Sequence, residues 1–208
     1  VLAPEHRLCL VQLSPGGSDA DVVREFDLAT KSFVEGGFFV PEAKSNVTWR
    51  DQDHLWIGTD FGPGSMTESG YPRTARLWKR GTPLDSAPVL FEGKTEDVWV
   101  GISHDSTPGF ERDFAARAPT FFTNEMFLWR DGAWVKVAKP DDAQASPWRE
   151  WLFVELRTDW NVGGKTFAAG ALLVTKLADK LAGRARFEVL FEPSERVSLS
   201  GFSPTRLH

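Results

Sequence analysis

Several stretches of this chain carry side chains that could do chemistry, and their spacing states what each would need. A hydrolase serine sits on a sharp strand-to-helix turn, G-x-S-x-G, which exposes its hydroxyl beside an oxyanion hole. The nearest approach is Gly16-Gly17-Ser18-Asp19-Ala20, with Ala in the last position, following Ser14-Pro15. A solvated hairpin turn explains every residue of it. His104-Asp105-Ser106 contains the residue types of a triad. Neighbours on an extended chain point in opposite directions, so these three cannot form one among themselves. Gly164-Lys165-Thr166 matches the end of a phosphate-binding loop, but the Gly required five positions earlier is Asp159. A Gly-Gly hairpin accounts for it instead.

Metal chemistry finds no support: the histidines at 6, 54, 104 and 208 lack ligand spacing, and Asp51, Asp53 and His54 read as a polar turn. No metal and no cofactor is assigned. Cys9 is the only cysteine, which rules out an internal disulfide and reads as a buried structural thiol. Asn46-Val47-Thr48 is a glycosylation sequon only for a chain that meets that machinery. Tyr71, Arg73 and Arg76 are the candidates for a binding rim, weighed against ordinary alternation of core and solvent side chains on a strand. No catalytic residue is assigned.

The elements that position these residues follow from composition and repetition. With 41% hydrophobic and 25% charged residues over 208 positions, the chain has the make-up of a globular protein with a sizeable core. No apolar run approaches the roughly 18 residues of a membrane helix, so no membrane partner is expected. The start, VLAPEHRLCLVQL, lacks the pattern of a signal peptide. The net charge of −5, from 24 basic and 29 acidic residues mixed throughout, leaves no basic stripe to replace nucleic-acid counterions.

Leu77-Trp78-Lys79-Arg80-Gly81 recurs as Leu128-Trp129-Arg130-Asp131-Gly132, 51 residues later. Val89-Leu90-Phe91-Glu92 recurs as Val189-Leu190-Phe191-Glu192, 100 residues later, and Phe33-Val34-Glu35-Gly36 is a weaker third copy. A period of about 50 with several short strands per unit is the spacing of propeller blades. Nine Trp and sixteen Phe suit stacked sheets. The predicted fold class is all-β, a β-propeller segment of about four blades of four antiparallel strands. Its units are placed at about 1–40, 41–95, 96–140 and 141–195, with the first strand of a further unit in 196–208.

Strands are expected at 6–13, 22–28 and 31–34, so three are visible where a blade needs four. Gly36-Gly37 and Pro41 then read as the crossing to a second unit with strands at 47–50, 54–59, 73–79 and 88–91. The third unit has strands at 98–103, 114–122, 125–129 and 134–137. The fourth has 151–156, 168–176 and 186–191, with a hairpin end at 160–165, a short helical turn at 178–183 and an unplaced first strand. Residues 197–203 read as the opening strand of a fifth unit.

The run TDFGPGSMTESGYPR from Thr59 to Arg73, followed by LWKRGTPL, closely resembles the N-terminal propeller of bacterial members of the prolyl oligopeptidase family of serine peptidases. Val23-Arg24-Glu25-Phe26-Asp27-Leu28, Phe38-Phe39-Val40-Pro41-Glu42-Ala43-Lys44-Ser45, Asp159-Trp160, Gly163-Gly164-Lys165-Thr166 and Val189-Leu190-Phe191-Glu192-Pro193 resemble the same family. The resemblance implies a larger, seven-bladed ring placed over an α/β-hydrolase domain, restricting access to short peptides cut after proline. The role implied for this segment is steric selection, with nucleophile, acid and base in a C-terminal domain outside this chain. The matching words contain no active-site residue.

The expected partners are that hydrolase domain and short peptide substrates, with self-association through open blade edges. The expected compartment is the cytoplasm, or the periplasm if the whole protein has a signal peptide. The alternative is a self-sufficient propeller module that binds a peptide or protein.

Overall fold

Short runs of β-branched and aromatic residues, cut by turns rich in Gly, Asp and Pro, can satisfy their backbone only by pairing side by side. The computed structural model describes residues 1–204, and they form four antiparallel four-stranded sheets, one two-stranded hairpin and one short helix. Contacts divide the chain into two compact units, the first made of Val1–Phe121 with Leu128–Trp134 and the second of Phe122–Phe127 with the residues from Val135 onward. Among the described residues no helix is long and apolar enough to cross a membrane.

The first sheet contains β1 (Leu8–Leu13), β2 (Asp21–Asp27), β3 (Ser32–Phe33) and β4 (Phe39–Ala43). β3 and β4 lie in line along one edge of β2, so four strands make three rows. Gly36-Gly37 is therefore a break inside the outer row, and Pro41 lies within β4, not in a crossing between units. Glu25, 2% exposed, fills that break: its carboxylate accepts Phe38 N–H at 2.9 Å. A side chain on Gly37 would meet Glu25 Oε2 at 2.8 Å, which explains the glycine. Pro41 fits on this row because an edge position needs no N–H donor.

β5 (Asn46–Asp51), β6 (His54–Gly58), β7 (Thr74–Lys79) and β8 (Val89–Glu92) follow as the second sheet, in sequential order. Leu55 and Ile57 join Val23, Phe38, Val40, Trp49 and Trp78 in the core shared with the first sheet. Trp56, on the opposite face of β6, turns toward the third sheet and packs on Trp134, with ring centroids 5.9 Å apart. Both faces of β6 are covered, which is why an unbroken apolar run is stable there. Arg80 of the repeated word holds Glu25 through two bonds, Nη1 to Oε2 at 2.7 Å and Nη2 to Oε1 at 3.0 Å, tying the first two sheets.

The third sheet contains β9 (Trp99–Asp105), β10 (Arg112–Thr120), β11 (Thr123–Arg130) and β12 (Ala133–Lys136). Trp78 and Trp129 occupy the third strands of successive sheets, as the repeat requires. Their burial differs: Trp78 is 6% exposed, whereas Trp129 is half-buried against Trp134 and Leu128 takes the covered position.

In the second unit, β13 (Gln144–Trp148), β14 (Trp151–Glu155), β17 (Leu172–Lys176) and β18 (Glu188–Phe191) form the fourth sheet. β13 supplies the first strand that the sequence left unplaced. β15 (Trp160–Val162) and β16 (Lys165–Phe167) form the hairpin, and α1 (Leu177–Leu181) is the helical turn before β18. Leu152, Val154 and Leu173 are fully buried in this unit.

The strand expected at 197–203 does not form: Val197 makes only an isolated bridge, exchanging backbone bonds with Ser194 at 2.9 and 3.3 Å. That tight turn satisfies its backbone locally, and Phe202 packs on Phe153, with centroids 5.2 Å apart. His208, one of the four histidines weighed as ligands, lies outside the described residues.

The VLFE word has a structural meaning. Ala75 faces Phe91 and Arg76 faces Val89, which leaves Leu90 as an extra residue in β8. Leu172 faces Phe191 and Leu173 faces Val189, so Leu190 is the extra residue in β18. Each copy is a bulge on an outer strand. The Leu90 carbonyl accepts the Trp134 indole N–H at 2.7 Å.

Candidate functional site

A cleft of about 760 Å³ lies in the first unit and is lined in part by Glu5, Arg50, Asp51, His104, Ser106 and Glu111. β5 carries Arg50 and Asp51 to its wall, and β9 with the following turn carries His104 and Ser106. Behind that wall lies Asp113, on β10 and 4% exposed. Its Oδ1 accepts from Trp56 Nε1 at 2.7 Å and bonds His104 Nδ1 at 2.8 Å; its Oδ2 accepts from Arg50 Nε at 3.1 Å. Burial pushes the Asp113 carboxyl upward, but the hydrogen bonds from His104, Trp56 and Arg50 outweigh it and hold the group below the usual range. Asp51 behaves alike: burial raises it, while His54 Nδ1, at 2.9 Å, and the Asp53 amide lower it further than burial lifts it.

Asp113 joins two sheets, with Arg50 and Trp56 reaching from the second and His104 from its own. His104 thus points to Asp113, its cross-strand partner, while Asp105 faces Arg112 at 3.2 Å. Among the described residues no hydrogen bond joins Ser106 to His104, so the cleft holds a His-Asp pair without a nucleophile attached. Ser18 has no histidine bonded to it: its hydroxyl donates to the Ala20 carbonyl at 3.0 Å and to Glu42 Oε1 at 3.4 Å. Gly163 and Gly164, with φ of 61° and 75°, form the two-residue turn between β15 and β16, and Lys165 sits over the Phe167 ring.

The rim candidates have structural work. Arg73 Nε donates to Gly64 O at 2.9 Å and Nη1 to Gly93 O at 2.9 Å, and the guanidinium also meets Glu92. Arg76 lies 3.7 Å over the Phe61 ring and donates to Asp85 O and Ala87 O at 3.3 Å. Tyr71 is 42% exposed, with Lys44 over its ring. Tyr71 and Arg73 belong to the 59–73 loop, which is bonded to itself, and Arg76 lies on β7 beyond it. Asp60 Oδ1 accepts Gly62 N–H at 2.8 Å, Ser65 Oγ accepts Phe61 N–H at 2.9 Å, and Thr67 N–H donates to Tyr71 O at 2.8 Å.

Asp113 and Arg50 were not singled out from the sequence. The available signal was alternation: Asp113 shares a face of β10 with Ala115, which is fully buried, so its carboxylate needed partners.

Residues 1–109 match the family described as prolyl oligopeptidase, N-terminal beta-propeller domain. The chain is 37% identical over 215 residues to an uncharacterized peptidase of Sinorhizobium fredii, covering 99% of this chain and 30% of that protein. It is 26% identical over 204 residues to an uncharacterized peptidase of Rickettsia prowazekii, covering 89% of this chain and 28% of that one. A solved post-proline cleaving enzyme from Rickettsia typhi superposes with a TM-score of 0.82 at 26% identity, over 90% of this chain and 30% of that chain. A structure from work on two prolyl endopeptidases gives a TM-score of 0.63 at 15% identity, over 93% of this chain and 27% of that chain, a likeness of fold alone. The chain therefore spans about 30% of the length of the relatives it matches. With the matched residues, the blade-like sheets and the bulged repeat in agreement, this chain belongs to the prolyl oligopeptidase N-terminal β-propeller family.

Proposed function

We propose that this segment is the substrate-gating propeller of a prolyl-oligopeptidase-like serine endopeptidase that hydrolyses short proline-containing peptides. It selects substrates by size, and the reacting groups lie on an α/β-hydrolase domain outside this chain. The observation that carries the reading is the superposition on the Rickettsia typhi post-proline cleaving enzyme across 90% of this chain. The remaining length of that relative supports the presence of a further domain. The cleft supports the division of labour: it offers mixed charge and a His-Asp pair but no activated serine, and amide hydrolysis needs both a nucleophile and an oxyanion hole.

The test pairs the whole protein with the 208-residue chain, using a chromogenic X-Pro substrate, a covalent serine-directed probe and proline-containing peptides of increasing length. The whole protein should label on one serine outside this chain and lose activity as substrates lengthen; the chain alone should neither label nor cleave. Stoichiometric labelling of a serine in this chain, or equal cleavage of short peptides and long unfolded proteins, refutes the reading. In isolation the chain is further proposed to self-associate through the edge of β1, which pairs with β2 on one side only.

A further inference from the structure

At one end of the second and third sheets lie the connections between β6 and β7 (59–73), β8 and β9 (93–98), and β10 and β11 (121–122). The strand register places them together. Glu92 faces Thr74 beside the first connection, Trp99 faces Ala118 just before the third, and the Glu68 N–H donates to Thr95 O at 2.8 Å, tying the first to the second. This rim carries Tyr71, Trp99 and Phe121, which are 42%, 40% and 85% exposed and all belong to the first unit. Turns at the opposite end are polar, Asp51-Gln52-Asp53 and Asp131-Gly132 among them.

Turn chemistry does not explain Phe121. Two-residue hairpin turns favour Asn, Asp and Gly, as at Asp131-Gly132 and Gly163-Gly164, whereas this one is Phe121-Phe122. Folding does not explain it either, since a ring left in water adds little to a core. With Tyr71 and Trp99, the rim leaves on the order of 300 Å² of aromatic surface exposed, the scale that marks an interaction site. Exposed carboxylates at Asp60, Glu68 and Glu96 stand on the same connections and outnumber Lys94. The surface that fits this rim is apolar at its centre with basic groups around it.

The chain spans about 30% of the length of its relatives, and a domain tethered to the propeller meets the rim at a high effective concentration, with no partner to be found in solution. We infer that this rim is the docking surface for the hydrolase domain, with Phe121 seated in an apolar pocket of that domain and its Lys or Arg side chains meeting Asp60, Glu68 and Glu96. The inference rests on the proposed function and adds which end of the sheets the hydrolase domain covers.

The test replaces Phe121 by the photoreactive p-benzoylphenylalanine in the whole protein, an aromatic for an aromatic at an exposed turn. Irradiation should give an intramolecular cross-link to the domain that carries the probe-labelled serine, and Glu68→Lys with Glu96→Lys should lower its yield severalfold. Hydrogen exchange gives the second readout: amides of residues 59–73 should exchange severalfold more slowly in the whole protein than in the 208-residue chain, and Phe121→Ser should remove that difference while leaving the urea midpoint of the chain unchanged. A cross-link to a second copy, to the propeller itself or to substrate, no cross-link at all, or equal exchange in chain and whole protein overturns the inference. Serine labelling and length-dependent cleavage are read separately, so a protein that passes those and fails here keeps the proposed function and loses this docking surface.

Discussion

Replacing Asp113 tests whether one carboxylate holds the second and third sheets together. In Asp113→Ala the Trp56 indole N–H, on a residue 2% exposed, loses its acceptor and has no water to turn to. That alone costs about 1–3 kcal/mol. His104, with 15% of its side chain exposed, loses its partner for about 1 kcal/mol more. Arg50 contributes least, about 0–1 kcal/mol, because 35% of its side chain is exposed and Asp51 remains 3.6 Å away. The expected loss is therefore about 2–5 kcal/mol, a large share of the roughly 5–15 kcal/mol available to a domain. The assay is urea unfolding of the parent, Asp113→Ala, Trp56→Phe and the double variant. The cycle should return a coupling of about 1–2 kcal/mol between residues 56 and 113. The pH dependence has a definite sign. Because the folded carboxyl is held below its ordinary range, its contribution is complete above the unfolded value of about 4 and is lost as pH falls through the folded one. Asp113→Ala should lack that part of the acid limb. A loss under about 0.5 kcal/mol, or a coupling of zero, refutes the reasoning.

Gly58→Ala should cost about 1–3 kcal/mol, since its Cβ would lie 2.8 Å from Thr74 O and 2.9 Å from Pro72 Cβ, neither on a flexible side-chain end; an unchanged urea midpoint counts against the close approach. Lys139, whose ammonium donates to the carbonyls of Asn124, Pro140 and Ala143, is pushed down to about 8, chiefly by burial. The folded state then binds fewer protons than the unfolded one between about 8 and the ordinary lysine value, so stability from this group rises with pH across that window. Comparison with Lys139→Met between pH 7 and 10 checks it, and parallel curves refute it. For self-association, the register set by Leu28 N–H on Arg7 O points the backbone groups of Leu10 and Gln12 away from β2. Sedimentation should show association of the chain that weakens in Gln12→Pro, which removes one outward donor; monomers in both cases refute it.

The parts of the fold legible in the sequence were those written by short-range physics. The second and third sheets appeared with their strands within a few residues, because alternation and Gly or Asp turns mark both ends of each strand. The first sheet did not read correctly past Phe33. Its outer row is broken where the Glu25 side chain replaces a backbone neighbour, a long-range substitution that leaves only two glycines as its trace. The 197–203 stretch failed for the opposite reason. It has the composition of a strand, but a strand is defined by its partner, and here Ser194 closes the backbone within four residues.

The repeated words show why family was legible and mechanism was not. VLFE recurs because an outer strand needs an extra residue at the same place in two sheets, and in the first of them the bulge offers Leu90 O to the indole of Trp134. LWKRG recurs because a third strand must end in a tight turn, yet its copies diverge where they do local work: Arg80 reaches the buried Glu25, and Asp131 stands at the matching position. Repetition thus records how sheets pack on their neighbours, and the Thr59–Arg73 run that identifies the family uses its polar atoms mostly on itself. The residues that join sheets, Asp113 with Trp56 and Glu25 with Arg80, lie 57 and 55 positions apart and share no motif. A signature run bonded to itself and sheet-joining pairs that share no motif both serve to hold shape, which is why the repeated words reveal a family of folds and no reacting group.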